Sequence, residues 1–415
     1  MAHLGRGVAV VGAGYAGMAA AVALAERGVR ATVFESGPVP GGRARRVVSQ
    51  GTELDNGQHI LIGAYTELYR MMGTVGVRHD ALLRMPLEIR YAAGFYFRRL
   101  GLPEPFGLAG GLLTARGISF AERLAAARFI AGLRRNRFHL TDDVPVSELL
   151  ARNGQDGRIA HYLWRPLCVS ALNTPPELAS ANVFLAVLRD TLGGDGEASD
   201  LLLPRVDLSR LFPEPAAAYV RAHGGEIRLQ SPVKELGALR QSFDRVIVAV
   251  GPHQLKTLLP DAPEYSYQPI YTCYLQYAAG VRLPLPMLGL ADGLVQWVFD
   301  RGALLGEKGR LACVISAQGD HQQMSLDEIA ERCHRELAAA LPGIGQPQWS
   351  RVIAEKRATI TCSPGVKALP NGMDGISFAG DYTDPEYPPT LEAAVRSGIR
   401  AATRVPLSSS ARSAR

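Results

Sequence analysis

Gly12, Gly14 and Gly17 stand at a Gly-x-Gly-x-x-Gly spacing directly after the apolar run Val8-Ala9-Val10-Val11. The next apolar run, Ala31-Thr32-Val33-Phe34, ends on an acid, Glu35. These residue types in this order can bind a dinucleotide. Gly12 allows a tight turn, and Gly14 lets the backbone approach a pyrophosphate. Gly17 lets a helix pack on a strand, and the helix N-terminus, with Ala16 in its first turn, faces the phosphates. Glu35 is placed to accept hydrogen bonds from a ribose. A glycine-rich turn with no ligand accounts for Gly12 and Gly17 but leaves Glu35 unexplained.

Further candidates follow along the chain. Gly41-Gly42-Arg43 pairs two glycines, which admit a close ligand, with an arginine suited to a phosphate or a flavin oxygen. Alone, the same triplet also reads as a solvated turn. Asp55-Asn56-Gly57-Gln58-His59 packs polar groups just before an apolar run. Gly57 can bring backbone near a ring system, and His59 can donate or accept, although a satisfied core histidine explains His59 as well. Gly380-Asp381 puts a carboxylate at a strand end, where it can hold sugar-alcohol hydroxyls. Thr390 and Leu391 sit at a helix N-terminus, whose dipole can face an electron-rich ring or phosphate. Helix capping accounts for Thr390 equally well, and Glu392 favours the helix start. Val233 is placed to cover an adenine, with plain core packing as its alternative.

Three separated αβ segments would position these groups. The first is residues 1–72. The second, 214–262, holds a helix from Ala216 to Ala222, a strand from Glu226 to Leu229 and the apolar run through Val250 that ends at Gly251-Pro252. The third, 364–405, holds a strand from Ile376 and a small-residue helix from Leu391 to Thr403. The sequence thus predicts one α/β nucleotide domain built from three stretches. A second domain, 73–213 and 266–362, is inserted between them, and 406–415 reads as a disordered tail. The inserted part has helical periodicity before residue 213. After residue 266 it has candidate strands (Tyr271 to Tyr277, Leu311 to Ser316) and a helix from Leu326 to Ala340.

Bulk properties narrow the function. The net charge of +6 comes mostly from arginines spread along the chain rather than massed in blocks, which argues against a nucleic-acid partner. The five cysteines lie far apart, without CxxC or metal-ligand spacing, so reduced thiols in a cytoplasmic protein and no metal site are expected. Val8 to Ala25 is apolar, but three glycines interrupt it, and no basic region or cleavage site accompanies it. It is therefore neither a signal peptide nor a membrane span. Residues 102–137 are apolar and then amphipathic. Phe120, Leu124, Ala127 and Ala131 share one helical face, flanked by Arg123, Arg128, Arg134 and Arg135. This suits contact with anionic lipid, or packing of a surface helix on its own core.

Taken together, the glycine fingerprint, Gly41-Gly42-Arg43 and Gly380-Asp381 resemble the FAD-dependent amine oxidase and phytoene desaturase superfamily. Asp55 through Tyr65, Trp164 through Pro175 and Ala198-Ser199-Asp200-Leu201-Leu202 narrow the resemblance to the squalene-associated FAD-dependent desaturases, the hydroxysqualene dehydroxylases. The resemblance runs from Val8 to about Ala402. It implies a Rossmann-like FAD-binding domain of the glutathione-reductase type with an inserted α+β substrate domain. It also implies non-covalent FAD, since no cysteine lies in the C-terminal flavin motif. Gly12, Gly14 and Gly17 would lie at the pyrophosphate, Glu35 at the ribose, Gly42 and Arg43 along the cofactor and Val233 at the adenine. Asp381 would lie at the ribityl or pyrophosphate part and Leu391 near the flavin. The implied reaction is reduction of a long isoprenoid alcohol, hydroxysqualene, to squalene. The candidate proton donors are His59, Asp55 and Asp200, in that order. The implied setting is the inner face of the cytoplasmic membrane, approached peripherally, with a separate electron donor or reductase. A phytoene desaturase shares every FAD motif. An amine oxidase usually sets a lysine at the flavin, and this chain has few: Lys234, Lys256, Lys308, Lys356 and Lys367. A prenyl-binding escort protein resembles the fold without holding flavin, and the intact Glu35 and Gly380-Asp381 argue against it.

Overall fold

A strand buried on all of its residues, Val8–Val11, is the centre of the first sheet. Its unbroken apolar run is what a parallel strand covered on both faces requires. It pairs in parallel with Ala31–Phe34 on one side and Arg245–Val248 on the other. Parallel neighbours need a crossover, and the Tyr15–Glu26 helix supplies the first. Glu226–Arg228 lies outside Ala31–Phe34; Ile376–Phe378 lies outside Arg245–Val248, with Gly372–Met373 antiparallel at the edge. The helix predicted from Ala216 begins earlier, at Pro213, because proline suits a first helical turn. The computed structural model describes residues 6–92, 94–103, 106–192, 196–367, 369, 372–373 and 375–406. All of the expected tail but Pro406 lies outside the described residues.

The second sheet is antiparallel, in the order Met287–Gly289, Trp297–Asp300, Arg310–Ser316, Tyr267–Gln276, Trp349–Ile360. Side chains alternate across it. Tyr271, Cys273 and Leu275 pack against Ile329, Cys333 and Leu337 of the Leu326–Ala340 helix. Ile270 and Tyr274, with Phe299, Ala312 and Val314, face the opposite way into the largest core cluster, shared with helices of residues 106–192. The fold is thus mixed α/β, a parallel nucleotide-type sheet joined to an antiparallel sheet under a helical layer. All five cysteines are free and buried.

Two helices in the region of residues 102–137 leave apolar side chains outside. Phe106–Thr114 buries Leu108 and Leu112, and Phe120–Arg135 buries Ala126, Phe129, Ile130 and Leu133. The stripe beginning at Phe120 is a different one: Phe120 and Ala131 are exposed, Leu124 and Ala127 half-buried. Leu102, Phe106, Leu113 and Phe120 are 48%, 67%, 48% and 68% exposed. Among the described residues, no helix is long and apolar enough to cross a membrane, and no cluster of His, Cys, Asp or Glu could hold a metal ion.

Candidate functional site

The turn after Val8–Val11 is built around a contact that only glycine permits. Gly12 has φ +103°, and a Cβ on Gly17 would lie 1.9 Å from the Gly12 carbonyl oxygen. The Tyr15–Glu26 helix therefore starts directly on the strand end. Its N-cap, Gly14, makes no side-chain cap bond, so the first-turn N–H groups of the helix, Ala16 included, are left for a ligand. Glu35 stands beside this turn. Its Oε2 accepts from the Ala13 N–H at 2.8 Å and its Oε1 from the Gly37 N–H at 2.7 Å. The second glycine pair joins them. Gly41 bridges Gly14, and its N–H donates to the Ala13 carbonyl at 2.8 Å, which brings Gly42 and Arg43 alongside.

Arg43 links this cradle to the far end of the chain. Its guanidinium bonds the Asp381 carboxylate at 2.7 Å and the Ala358 carbonyl at 2.5 Å. Arg43 is half-buried, with 35% of its side chain accessible. The neighbouring Gly380 N–H donates to Ser397 Oγ at 2.8 Å. Thr390 caps the Leu391–Thr403 helix by accepting from the Ala393 N–H at 3.1 Å, and Leu391 is half-buried behind it. Val233 is half-buried in the cluster that holds Phe34. Glu392, flagged in the sequence only as a helix-start acid, is fully buried. It accepts from the Glu67 and Leu68 N–H groups at 3.1 and 2.8 Å and pairs with Arg396 at 2.7 Å.

The turn from Asp55 to His59 is anchored from the second sheet. Asp55 Oδ1 accepts from the Leu208 N–H at 2.9 Å, Oδ2 pairs with Arg301 at 3.1 Å, and the Asp55 carbonyl accepts from the Tyr274 hydroxyl at 2.8 Å. Arg301 also donates to Gln58 Oε1 at 3.1 Å and to Glu307 at 2.6 and 3.0 Å, with only 2% of its side chain exposed. No motif in the sequence marks Arg301; of its partners, Asp55 and Gln58 lie 246 and 243 residues away along the chain. Burial pushes the Asp55 carboxyl up, while the Arg301 charge and the Leu208 N–H oppose this. Asp200 pairs with Arg84 at 3.1 Å and Arg99 at 3.6 Å, and neither belongs to the Asp55–His59 turn. The sequence offers Asp55 and Asp200 as proton donors. The structure gives both carboxylates arginine partners, and burial still leaves the Asp55 carboxyl raised against the pull of Arg301.

His59 differs. Its Nδ1 lies 3.2 Å from the Gly57 carbonyl, which can only accept, so Nδ1 carries the proton and Nε2 is left as the free acceptor. Burial pushes its pKa below the ordinary value, and the Arg43 charge adds to this against the Gly57 bond. The ring is therefore neutral near pH 7. The ring is half-buried. The structure thus groups Gly12, Gly14, Gly17, Glu35, Gly42, Arg43, Gly380 and Asp381 through direct contacts. His59 lies within reach of the Arg43 charge.

Residues 15–406 match the family described as flavin containing amine oxidoreductase. The chain is 28% identical over 431 residues to the hydroxysqualene dehydroxylase of Sinorhizobium fredii, covering 96% of this chain and 97% of that one. It is 29% identical over 434 residues to the hydroxysqualene dehydroxylase of Rhodopseudomonas palustris, covering 96% and 98%. Among solved structures, an oxidoreductase from Methanosarcina mazei has a TM-score of 0.72 at 14% identity, covering 96% of this chain and 100% of that one.

Proposed function

This chain belongs to the flavin-containing amine oxidoreductase family and is a FAD-dependent oxidoreductase; on that premise we propose that it reduces hydroxysqualene to squalene. One observation carries the reading: likeness along nearly the whole of both chains to hydroxysqualene dehydroxylases. The residues fit the cofactor. Gly17 lets the helix start directly against the Gly12 carbonyl with its first-turn N–H groups unused, Glu35 stands next to this turn, and Arg43 is partly accessible. In this reading Gly12, Gly14, Ala16 and Gly17 hold the pyrophosphate, Glu35 a ribose and Val233 the adenine. Gly42, Arg43, Gly57, Gln58, Gly380, Asp381, Thr390 and Leu391 line the rest. Reduced FAD, when bound, supplies the hydride.

In the reaction the allylic C–O bond breaks, hydride takes its place, and the oxygen gains a proton and leaves as water. Hydroxide is a poor leaving group, so a proton must reach that oxygen as the bond breaks. His59 Nε2 is the site we assign to it. The ring is neutral at rest, so Nε2 must first take a proton from water, which a lowered pKa makes harder; once protonated, the ring is a stronger acid than free imidazole and gives that proton to the alcohol oxygen. Electrons return from a separate donor, since the chain carries no second nucleotide fingerprint. In the experiment that tests this, reduced enzyme meets hydroxysqualene without oxygen. Squalene should form in step with flavin reoxidation, and His59→Ala should lower the rate by about a hundredfold or more. A flavin that stays reduced beside untouched hydroxysqualene sinks the reading, and phytoene is then the next compound to try.

The substrate is almost insoluble in water, and the outward face of residues 102–120 suits the place where it dissolves. Leu102, Phe106, Leu113 and Phe120 stand exposed beside the exposed Arg116 and Arg128, a combination that fits anionic lipid. This is the proposed contact with the inner face of the cytoplasmic membrane. Binding to vesicles containing phosphatidylglycerol should fall at least about tenfold in Phe106→Ser/Phe120→Ser, because each phenylalanine loses apolar area to bury. Equal co-sedimentation of the two proteins would rule the patch out.

A further inference from the structure

Thr272 lies on the Tyr267–Gln276 strand between Tyr271 and Cys273, so it faces the opposite way from them, with Ile270 and Tyr274. It is 1% exposed, and its Oγ1 has no hydrogen-bond partner among the described residues. Buried hydroxyls are nearly always paired, and an unpaired one calls for a reason. Its surroundings supply one. A Cβ built on Gly57 would lie 3.9 Å from Thr272 Oγ1 and 3.8 Å from His59 Cε1. The two side chains therefore border the same small space over the Gly57 α-carbon, and Gly57 keeps that space open. Ile270, two residues before Thr272 on the strand, and Ile60, next to His59 in the chain, pack against the large apolar core cluster. An unpaired hydroxyl beside an imidazole edge, next to the apolar core, is a site for one small polar group on a hydrocarbon.

We propose that Thr272 Oγ1 and His59 Nε2 together hold the hydroxyl of the alcohol substrate, and that Thr272 is the residue that distinguishes the alcohol from the hydrocarbon product. This rests on the reading of the enzyme as a hydroxysqualene dehydroxylase. Thr272 O–H donates to the substrate oxygen, and the substrate O–H donates to His59 Nε2. When the ring is protonated the second contact reverses, and Nε2–H donates to the oxygen while Thr272 still donates to it. The oxygen then accepts two hydrogen bonds as the C–O bond weakens. Loss of the hydroxyl leaves Thr272 unpaired again, so squalene is held less tightly than its precursor and release is favoured.

The test uses oxidised, FAD-loaded enzyme, which binds the alcohol without reducing it. Competition between hydroxysqualene and squalene in detergent micelles gives the ratio of their affinities. The native chain should prefer the alcohol. Thr272→Val, nearly equal in shape, should lower that preference by about tenfold with squalene affinity unchanged. Thr272→Ser should keep the preference, and its flavin spectrum should match that of the native chain. Thr272→Ala, which opens space rather than filling it, gives the same readout if the valine variant does not fold. An unchanged ratio in the valine or alanine variant overturns the proposal while native turnover stands. If the native chain neither prefers nor converts hydroxysqualene, the dehydroxylase reading falls and the hydroxyl site falls with it.

Discussion

Gly17→Ala is expected to purify colourless, with FAD affinity lower by about a hundredfold, which corresponds to roughly 2.7 kcal/mol. The added methyl carbon would stand 1.9 Å from the Gly12 carbonyl oxygen, 3.0 Å from the Gly12 carbonyl carbon and 3.3 Å from Ala249 Cβ. Two of these three atoms belong to backbone, which cannot swing aside as the end of a long side chain can. Relief requires the start of the Tyr15–Glu26 helix to back away from the strand by about an ångström, and overpacking of this kind costs about 1–3 kcal/mol in stability besides. The helix N–H groups then no longer reach the pyrophosphate, and the loss falls mainly on the cofactor. Gly132→Ala is the control. It lies inside the Phe120–Arg135 helix with no atom within 4 Å of its added Cβ, so that variant should stay yellow. Flavin absorbance per chain, followed by titration of the apoprotein, reads both. A Gly17→Ala protein that binds FAD like the native chain would show that the turn relaxes in a way the geometry does not permit.

Arg301→Met is expected to destabilise the chain by about 3–5 kcal/mol, measured as the shift in urea unfolding of the apoprotein. Removal of the guanidinium strands the Asp55 carboxylate, whose side chain is 5% exposed, and strips Glu307 of two bonds. The stacking of Arg301 over Tyr274, 5.3 Å from the ring centre, goes as well. The cost is chiefly that of a buried charge left alone, so Asp55→Asn/Arg301→Met should recover part of it. The two single changes should then not add. Arg301→Lys should fall between, since an ammonium cannot serve Asp55, Gln58 and Glu307 from one planar group. A loss under 1 kcal/mol for Arg301→Met would mean that water or a shifted side chain takes over the role. Because Arg301 also holds Gln58, the variant loosens the Gly57–His59 turn, and FAD affinity should fall alongside stability.

Legibility in the sequence followed the range of the forces involved. The Leu326–Ala340 helix matches the predicted bounds and the Phe120–Arg135 helix starts at the first residue of the predicted helical face, because Ser325 with Glu328, and Ser119 with Glu122, form reciprocal caps within three residues of each other. The glycine turn was readable for the same reason, since close contact of Gly12 with Gly17 is a demand of one short stretch of chain. The Trp349–Ile360 strand left no such mark. Most of its residues are half-buried, and Lys356 and Arg357 interrupt any alternation. Arg301 and Thr272 were invisible for a stronger reason. Arg301 meets Asp55 across a separation of 246 residues, and the solitude of the Thr272 hydroxyl is a property of everything folded around it. The same limit explains Asp55 and Asp200. As residue types they suit a proton donor, and only tertiary structure shows which arginines they face.

The pairing of the central sheet also has a consequence for how the protein is made. Val8 pairs with Arg245, and Val246 with Ile376. A chain leaving the ribosome therefore displays this buried strand, with Ala31–Phe34 on one side, long before its other neighbour, residues 245–248, has been synthesised. Contacts so remote in sequence close slowly, and meanwhile Val8–Val11 is an unpaired edge open to the wrong partner. Asp381 and the helix that Thr390 caps arrive last of all. With Asp381 and Leu391 at the cofactor, as proposed, flavin loading would be a late event of biogenesis, and a chain interrupted before Leu391 a candidate for chaperone custody rather than a smaller flavoprotein.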